Sequence, residues 1–122
     1  MLRKFFLSIF VMLISAPVFS GTYENALAKN KNVFLYLYTP ECSVCKNFES
    51  IYTNLSKSNK DFAFVKVNAN TAYGYNLLKK YRGHYVPYII LTNSKTNKSV
   101  NITHSCVMDE MCMSRALKSF KG

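Results

Sequence analysis

Cys42 and Cys45 are separated by Ser43-Val44, and a Cys-x-x-Cys pair supports two kinds of chemistry: a small disulfide that opens and reforms, or half of a tetrahedral zinc site. Three residues is close to one helical turn, so at a helix start both sulfurs lie on one side, near enough to bond. The unpaired N–H groups of that turn favour a thiolate on the first cysteine by about 0.3 to 2 kcal/mol, or roughly 0.2 to 1.5 pKa units, which raises its reactive fraction near neutral pH.

Cys106 and Cys112 form the second candidate pair. The pattern places Cys106 at the end of a strand and Cys112 about three residues past Asp109, the expected N-cap of the last helix. The expectation is a structural disulfide that pins this helix to the sheet, its short loop putting the gain near the low end of the typical range of about 2 to 4 kcal/mol. Two alternatives stand beside it: a relay exchanging electrons with Cys42 and Cys45, and a four-thiolate zinc site that draws on His104. His84 and His104 are the only histidines. Neither has a partner that spacing places beside it, so both read as exposed residues rather than catalytic bases. Met108, Met111 and Met113 sit around Cys112 and read as a mixture of core and surface residues, not a metal site.

The elements that must position these groups follow from periodicity. The segment from Val33 to Thr39 is a continuous apolar and aromatic run, as in a strand covered on both faces. Pro40 stops it. Phe48, Ile51, Tyr52 and Leu55 then fall at i, i+3, i+4 and i+7, the stripe of a helix that starts near Cys42. Phe62 to Val67 reads as a second strand, and Tyr73, Leu77 and Tyr81 mark a second helical face despite Gly74. Tyr88 to Leu91 and Ser99 to Thr103 read as two short strands around a hairpin-like turn. Met113, Ala116, Leu117 and Phe120 give the last helix its buried stripe, and Tyr23 to Lys31 can form a first short helix. Strands alternating with helices imply parallel pairing, and the final hairpin adds an antiparallel edge. The fold class is α/β, a mixed sheet of about four strands sandwiched between helices.

With 122 residues and 49% hydrophobic content, the chain makes one domain with a real core. Residues 1–20 differ in kind: Arg3 and Lys4 precede an apolar run from Phe5 to Phe19, ending at Ser20-Gly21. That is the layout of a signal peptide cut after Ser20, leaving a domain over residues 21–122. An uncleaved membrane anchor is the alternative, although the run is shorter than the roughly 20 apolar residues a span takes. The expected product is exported, most naturally to a periplasm, with no stable membrane anchor after cleavage. The formal charge of +10 comes from scattered lysines without a base-reading motif, so nucleic acid is not an expected partner.

These residues together resemble the thioredoxin family. The likeness is carried by the strand from Val33 to Thr39, the run Cys42-Ser-Val-Cys45-Lys46, Lys66, Lys80-Tyr81, and Val86-Pro87 leading into Tyr88 to Leu91. It covers about residues 33 to 120. The resemblance implies a thioredoxin-like fold in which the peptide before Pro87 is cis and lies against the disulfide, with the Val86 backbone offered to an extended substrate strand. Three positions depart from the family pattern. Glu41 stands where an aromatic precedes the first cysteine, Tyr36 where a buried acid is usual, and Ser50 where a proline kinks the helix. Lys66 is thus expected to lack its usual partner, and proton transfer to use water, Glu41 or another group. Without a histidine between the cysteines, a very strong oxidant is not expected.

The functional expectation is an exported thiol:disulfide oxidoreductase in which Cys42 attacks and Cys45 resolves. It acts on protein thiol and disulfide substrates and a redox partner, and needs no bound cofactor or metal. The alternative is a thioredoxin-fold binding or assembly module of the cell envelope, in which Cys42–Cys45 is a structural bridge.

Overall fold

The computed structural model describes residues 21–106 and 108–121; the signal peptide expected over residues 1–20 lies outside them. Nine elements follow in chain order: α1 (Thr22–Lys29), β1 (Asn32–Tyr38), α2 (Ser43–Ser58), β2 (Phe62–Asn68), α3 (Ala72–Lys80), β3 (Tyr88–Asn93), β4 (Lys98–Asn101), α4 (Thr103–Cys106) and α5 (Glu110–Lys121). The four strands form one sheet in the order β2-β1-β3-β4. Among the described residues, no helix is long and apolar enough to cross a membrane.

The unbroken apolar run of β1 has the physical meaning expected of it. Successive side chains of a strand point to opposite faces. Phe34 and Tyr36 enter a core with Phe48 and Leu55 of α2 and Met113 and Leu117 of α5, whereas Val33, Leu35 and Leu37 enter a second core with Tyr23 of α1 and Leu77 of α3. The central strand is therefore buried on both sides, and the sheet is a layer between helices.

One expectation about direction fails. β1 and β2 are parallel, but β3 runs antiparallel to β1, despite the helix that joins β2 to β3. At nine residues, α3 spans only about 13 Å. It packs on the second face of the sheet and delivers the chain to β3 at the same end where β2 finishes. The pairs Tyr38 with Asn68 and Leu37 with Tyr88 put the ends of β1 and β2 and the start of β3 at one end of the sheet. The turn carrying Cys42 and the loop carrying Pro87 consequently meet there. The last strand also ends earlier than expected, at Asn101. Thr103 turns inward so that its Oγ1 accepts from Ile89 N–H at 2.8 Å, and Cys106 closes a one-turn helix rather than a strand.

Two local features hold α3 in this crossing position. Gly74 sits where a Cβ would lie 2.0 Å from the Asn68 carbonyl oxygen, so a helix glycine that costs about 1 kcal/mol in propensity allows the close approach to β2. At the other end, Arg82 has φ 59°, and the Arg82 and Gly83 N–H groups donate to the Lys79 and Leu78 carbonyls. This double closure ends the helix and turns the chain toward Pro87.

Burial of phenols gives the fold a pH limit. Burial, then its hydrogen bond to the Glu24 carboxylate, pushes the Tyr73 hydroxyl up to about 12, and burial beside the charge of Glu49 does the same for Tyr52. Tyr23 and Tyr36 are pushed up as well, chiefly by burial. Because these folded values exceed the ordinary phenol value of about 10, their contribution is fully present below about pH 10 and is lost as pH rises through about 12. Spectrophotometric titration of the tyrosines should show these groups ionising only together with unfolding; their titration near pH 10 in folded protein would contradict this packing.

Candidate active site

Cys42 occupies the N-cap of α2, where extended backbone gives way to helix and its sulfur accepts the Cys45 N–H at 3.0 Å. The two cysteines are joined, with Cα atoms 5.2 Å apart. Cys42 is partly exposed, while Cys45 is 1% exposed and packs into the core beside Phe48. A partner sulfur can therefore reach the first cysteine and not the second. On opening, the Cys45 N–H and the start of α2 stabilise negative charge on Cys42, as the sequence implies.

Facing this turn is the loop before β3. The Val86–Pro87 peptide is cis, in agreement with the family resemblance, and the Val86 carbonyl oxygen is 3.8 Å from Cys42 Sγ. Two open surface depressions, of about 320 Å³ along Glu24, Tyr73 and Lys80 and about 670 Å³ along Tyr75, Lys79 and Arg82, are built on α1, α3 and its following turn. Neither is lined by Cys42.

Lys66 lacks its usual partner, as expected from Tyr36 at that position, but it has another. Its ammonium lies 2.6 Å from Glu49 Oε1, and the other oxygen of Glu49 is 3.1 Å from the Tyr36 hydroxyl. That hydroxyl also lies 3.1 Å from the Cys45 carbonyl oxygen. The position that lacks an acid thus holds a fully buried tyrosine, and the acid comes instead from the second turn of α2. Burial, reinforced by Glu49, raises the Tyr36 pKa, so the phenol remains a donor at neutral pH. Tyr36 is the paired neighbour of Lys66 on β2, and Glu49 lies four residues after Cys45, one turn along the helix. That spacing was a usable signal. Glu41, the acid expected to bear on the site, instead accepts from Asn70 Nδ2 at 2.9 Å.

Replacing Tyr36 with phenylalanine removes the buried hydroxyl that bonds the Cys45 carbonyl and Glu49 and should cost about 0.5 to 1.5 kcal/mol in denaturant unfolding. An unchanged midpoint would show that the hydroxyl holds nothing.

Cys106 and Cys112 form the expected second disulfide, with Cα atoms 5.3 Å apart. Asp109 caps α5 as expected, its Oδ1 accepting from Cys112 N–H at 3.0 Å. The bridge joins α4 to α5 against the same core as Cys45. Both histidines are exposed, but His104 has a partner, the Tyr85 hydroxyl, 2.5 Å from Nε2. Met113 is buried and Met108 and Met111 are exposed, the mixture expected of them. Among the described residues, no cluster of three or more His, Cys, Asp or Glu could hold a metal ion.

A mixed four-stranded sheet between helices, with a Cys-x-x-Cys disulfide at a helix start facing a cis-proline, defines a thioredoxin-fold protein. The family model for thioredoxin matches residues 15–111, and the chain belongs to the thioredoxin family. Its fold is similar to that of a mutant thioredoxin from Halobacterium salinarum, with TM-score 0.71 and 20% identity over 86% of this chain and 88% of that one. The first thioredoxin domain of mouse protein disulfide-isomerase A4 gives TM-score 0.70 and 21% identity, over 86% and 74%. The oxidised thioredoxin of Plasmodium falciparum gives 0.66 and 16%, over 86% and 96%. No curated protein matches the chain by sequence.

Proposed function

We propose that this protein is an exported thiol:disulfide oxidoreductase that exchanges disulfides with protein substrates through Cys42-Ser-Val-Cys45. The observation that carries the reading is the asymmetry of the pair, one sulfur partly exposed at a helix N-cap and the other 1% exposed. In the reducing direction the Cys42 thiolate attacks a partner disulfide. A bond forms between Cys42 and one partner sulfur, the partner S–S bond breaks, and the other partner sulfur leaves as a thiolate that takes a proton from water. Cys45 then loses its proton and attacks Cys42 Sγ, closing the Cys42–Cys45 bond and releasing the second partner sulfur. Two electrons pass from the protein to the partner, and the oxidising direction is the reverse.

The carboxylate of Glu49, bridged to the Cys45 turn by Tyr36, supports a role for this acid in receiving the Cys45 proton through water. The Val86 carbonyl beside Cys42 Sγ, next to the cis peptide of Pro87, supports pairing of an extended substrate strand with Val86. No bound organic cofactor is required. The leader-like residues 1–20 and the second disulfide support an oxidising compartment outside the cytoplasm, most naturally the periplasm, with release of the domain from residue 21 onward.

The test is reduction of insulin by dithiothreitol, followed by turbidity. The protein should accelerate precipitation in proportion to its concentration; no acceleration would favour the binding-module alternative.

A further inference from the structure

Tyr85 and His104 are both exposed, and they lie nineteen residues apart. Even so, their rings pack at 5.3 Å between centroids, with the hydroxyl on Nε2. Neither group serves a core. Tyr85 immediately precedes Val86, whose carbonyl lies against Cys42, and its ring also stands edge-on to Tyr88 on the other side of Pro87. His104 belongs to α4, a single turn with too few hydrogen bonds to be stable by itself. That turn is fixed at both ends. At its start, Thr103 Oγ1 accepts from Ile89 N–H and the Ile102 N–H donates to the Ile89 carbonyl. At its end, Cys106 is buried and bonded to Cys112 of α5.

We infer that the Cys106–Cys112 disulfide, through α4 and the Tyr85–His104 hydrogen bond, positions the Val86 backbone with which an extended protein substrate pairs. Tyr85 and His104 are then positioning residues for protein substrates, and they touch neither reacting sulfur. The inference rests on the reading of Cys42–Cys45 as a pair that exchanges disulfides with proteins. A short loop before a reactive disulfide loses backbone freedom when a substrate strand pairs with it, and a loop already held in place loses less. The outer bridge thus acts on substrate affinity rather than on the chemistry of Cys42.

The experiment is a mutant cycle read in two assays: KM for insulin, and the rate at which the reduced protein attacks cystamine, a disulfide too small to pair with a strand. Tyr85→Phe and His104→Ala should each raise KM for insulin about three- to tenfold, the range of one modest hydrogen bond, and leave the cystamine rate unchanged. Combined, they should raise it no further than the larger single effect. His104→Gln, which keeps a polar atom near the place of Nε2, should recover much of the loss. The pair Cys106→Ala with Cys112→Ala should raise KM by a similar factor, to which Tyr85→Phe adds nothing.

Effects that multiply, or an unchanged KM, would overturn the inference, because the residues would then act independently or not at all. Amide hydrogen exchange over Tyr85 and Val86 is a second readout that needs no turnover. It should quicken in His104→Ala and Tyr85→Phe, and equal rates in wild type and both variants would overturn the inference even if the cysteine variant fails to fold. If wild-type protein does not reduce insulin at all, the proposed function fails by itself, and the exchange data still decide whether α4 holds the loop.

Discussion

Replacing Cys42 with serine is expected to abolish insulin reduction, leaving only the background rate of dithiothreitol. Serine keeps the size of the side chain and can still cap α2, since a hydroxyl oxygen accepts the Cys45 N–H as the sulfur does. What it loses is the sulfur that forms the first bond with the partner. The effect should therefore be complete in activity and small in unfolding, apart from the closed Cys42–Cys45 loop, which is too short to constrain the unfolded chain much. Turbidity assays and denaturant unfolding of wild type and variant read the two quantities side by side. Wild-type turnover in Cys42→Ser would remove Cys42 from the role of nucleophile.

The second large effect is expected from Cys45→Ala, which should turn the protein from a catalyst into a trap. Cys42 keeps its partial exposure and the helix start beneath it, so it can still attack. The sulfur that displaces the partner is gone. Mixed disulfides through Cys42 should accumulate on non-reducing gels and dissolve with reductant, while catalytic turnover falls to the level of Cys42→Ser. Because Cys45 is 1% exposed, the reverse variant, Cys42→Ser, should trap no partner. Adducts through Cys45 in that variant would reverse the assigned roles.

The double-sided burial of β1 was legible because seven consecutive residues, Val33 to Thr39, carry no strongly polar interruption, and only a strand covered on both faces tolerates that. The stripe of α2 and the cap at Asp109 were legible for the same reason: both are local patterns. The direction of β3 was not, because strand and helix alternation does not encode whether a helix returns the chain to the far end of the sheet or delivers it to the end where the previous strand finished. That depends on the length of α3 and on the packing at Gly74. The Cys42–Cys45 disulfide could be anticipated from spacing, but the company of Lys66 could not be anticipated from the usual position of an acid. Glu49 reaches it from a different element, with Tyr36 filling the vacated place. The Tyr85–His104 contact is longer in range still. It depends on a one-turn helix that begins at Thr103, where Asn101 Oδ1 accepts the Thr103 N–H and a strand was expected to continue.

The measurement that bears most directly on Cys42–Cys45 as an exchanging pair is a redox titration of the folded protein with each thiol mapped by alkylation and mass spectrometry. Cys42–Cys45 should open and close reversibly in folded protein at a potential above about −300 mV, the region below which structural disulfides of exported proteins usually fall. Cys42 should be alkylated before Cys45. A Cys42–Cys45 bridge that resists reduction until the protein unfolds, or that opens to expose Cys45 first, would contradict the account.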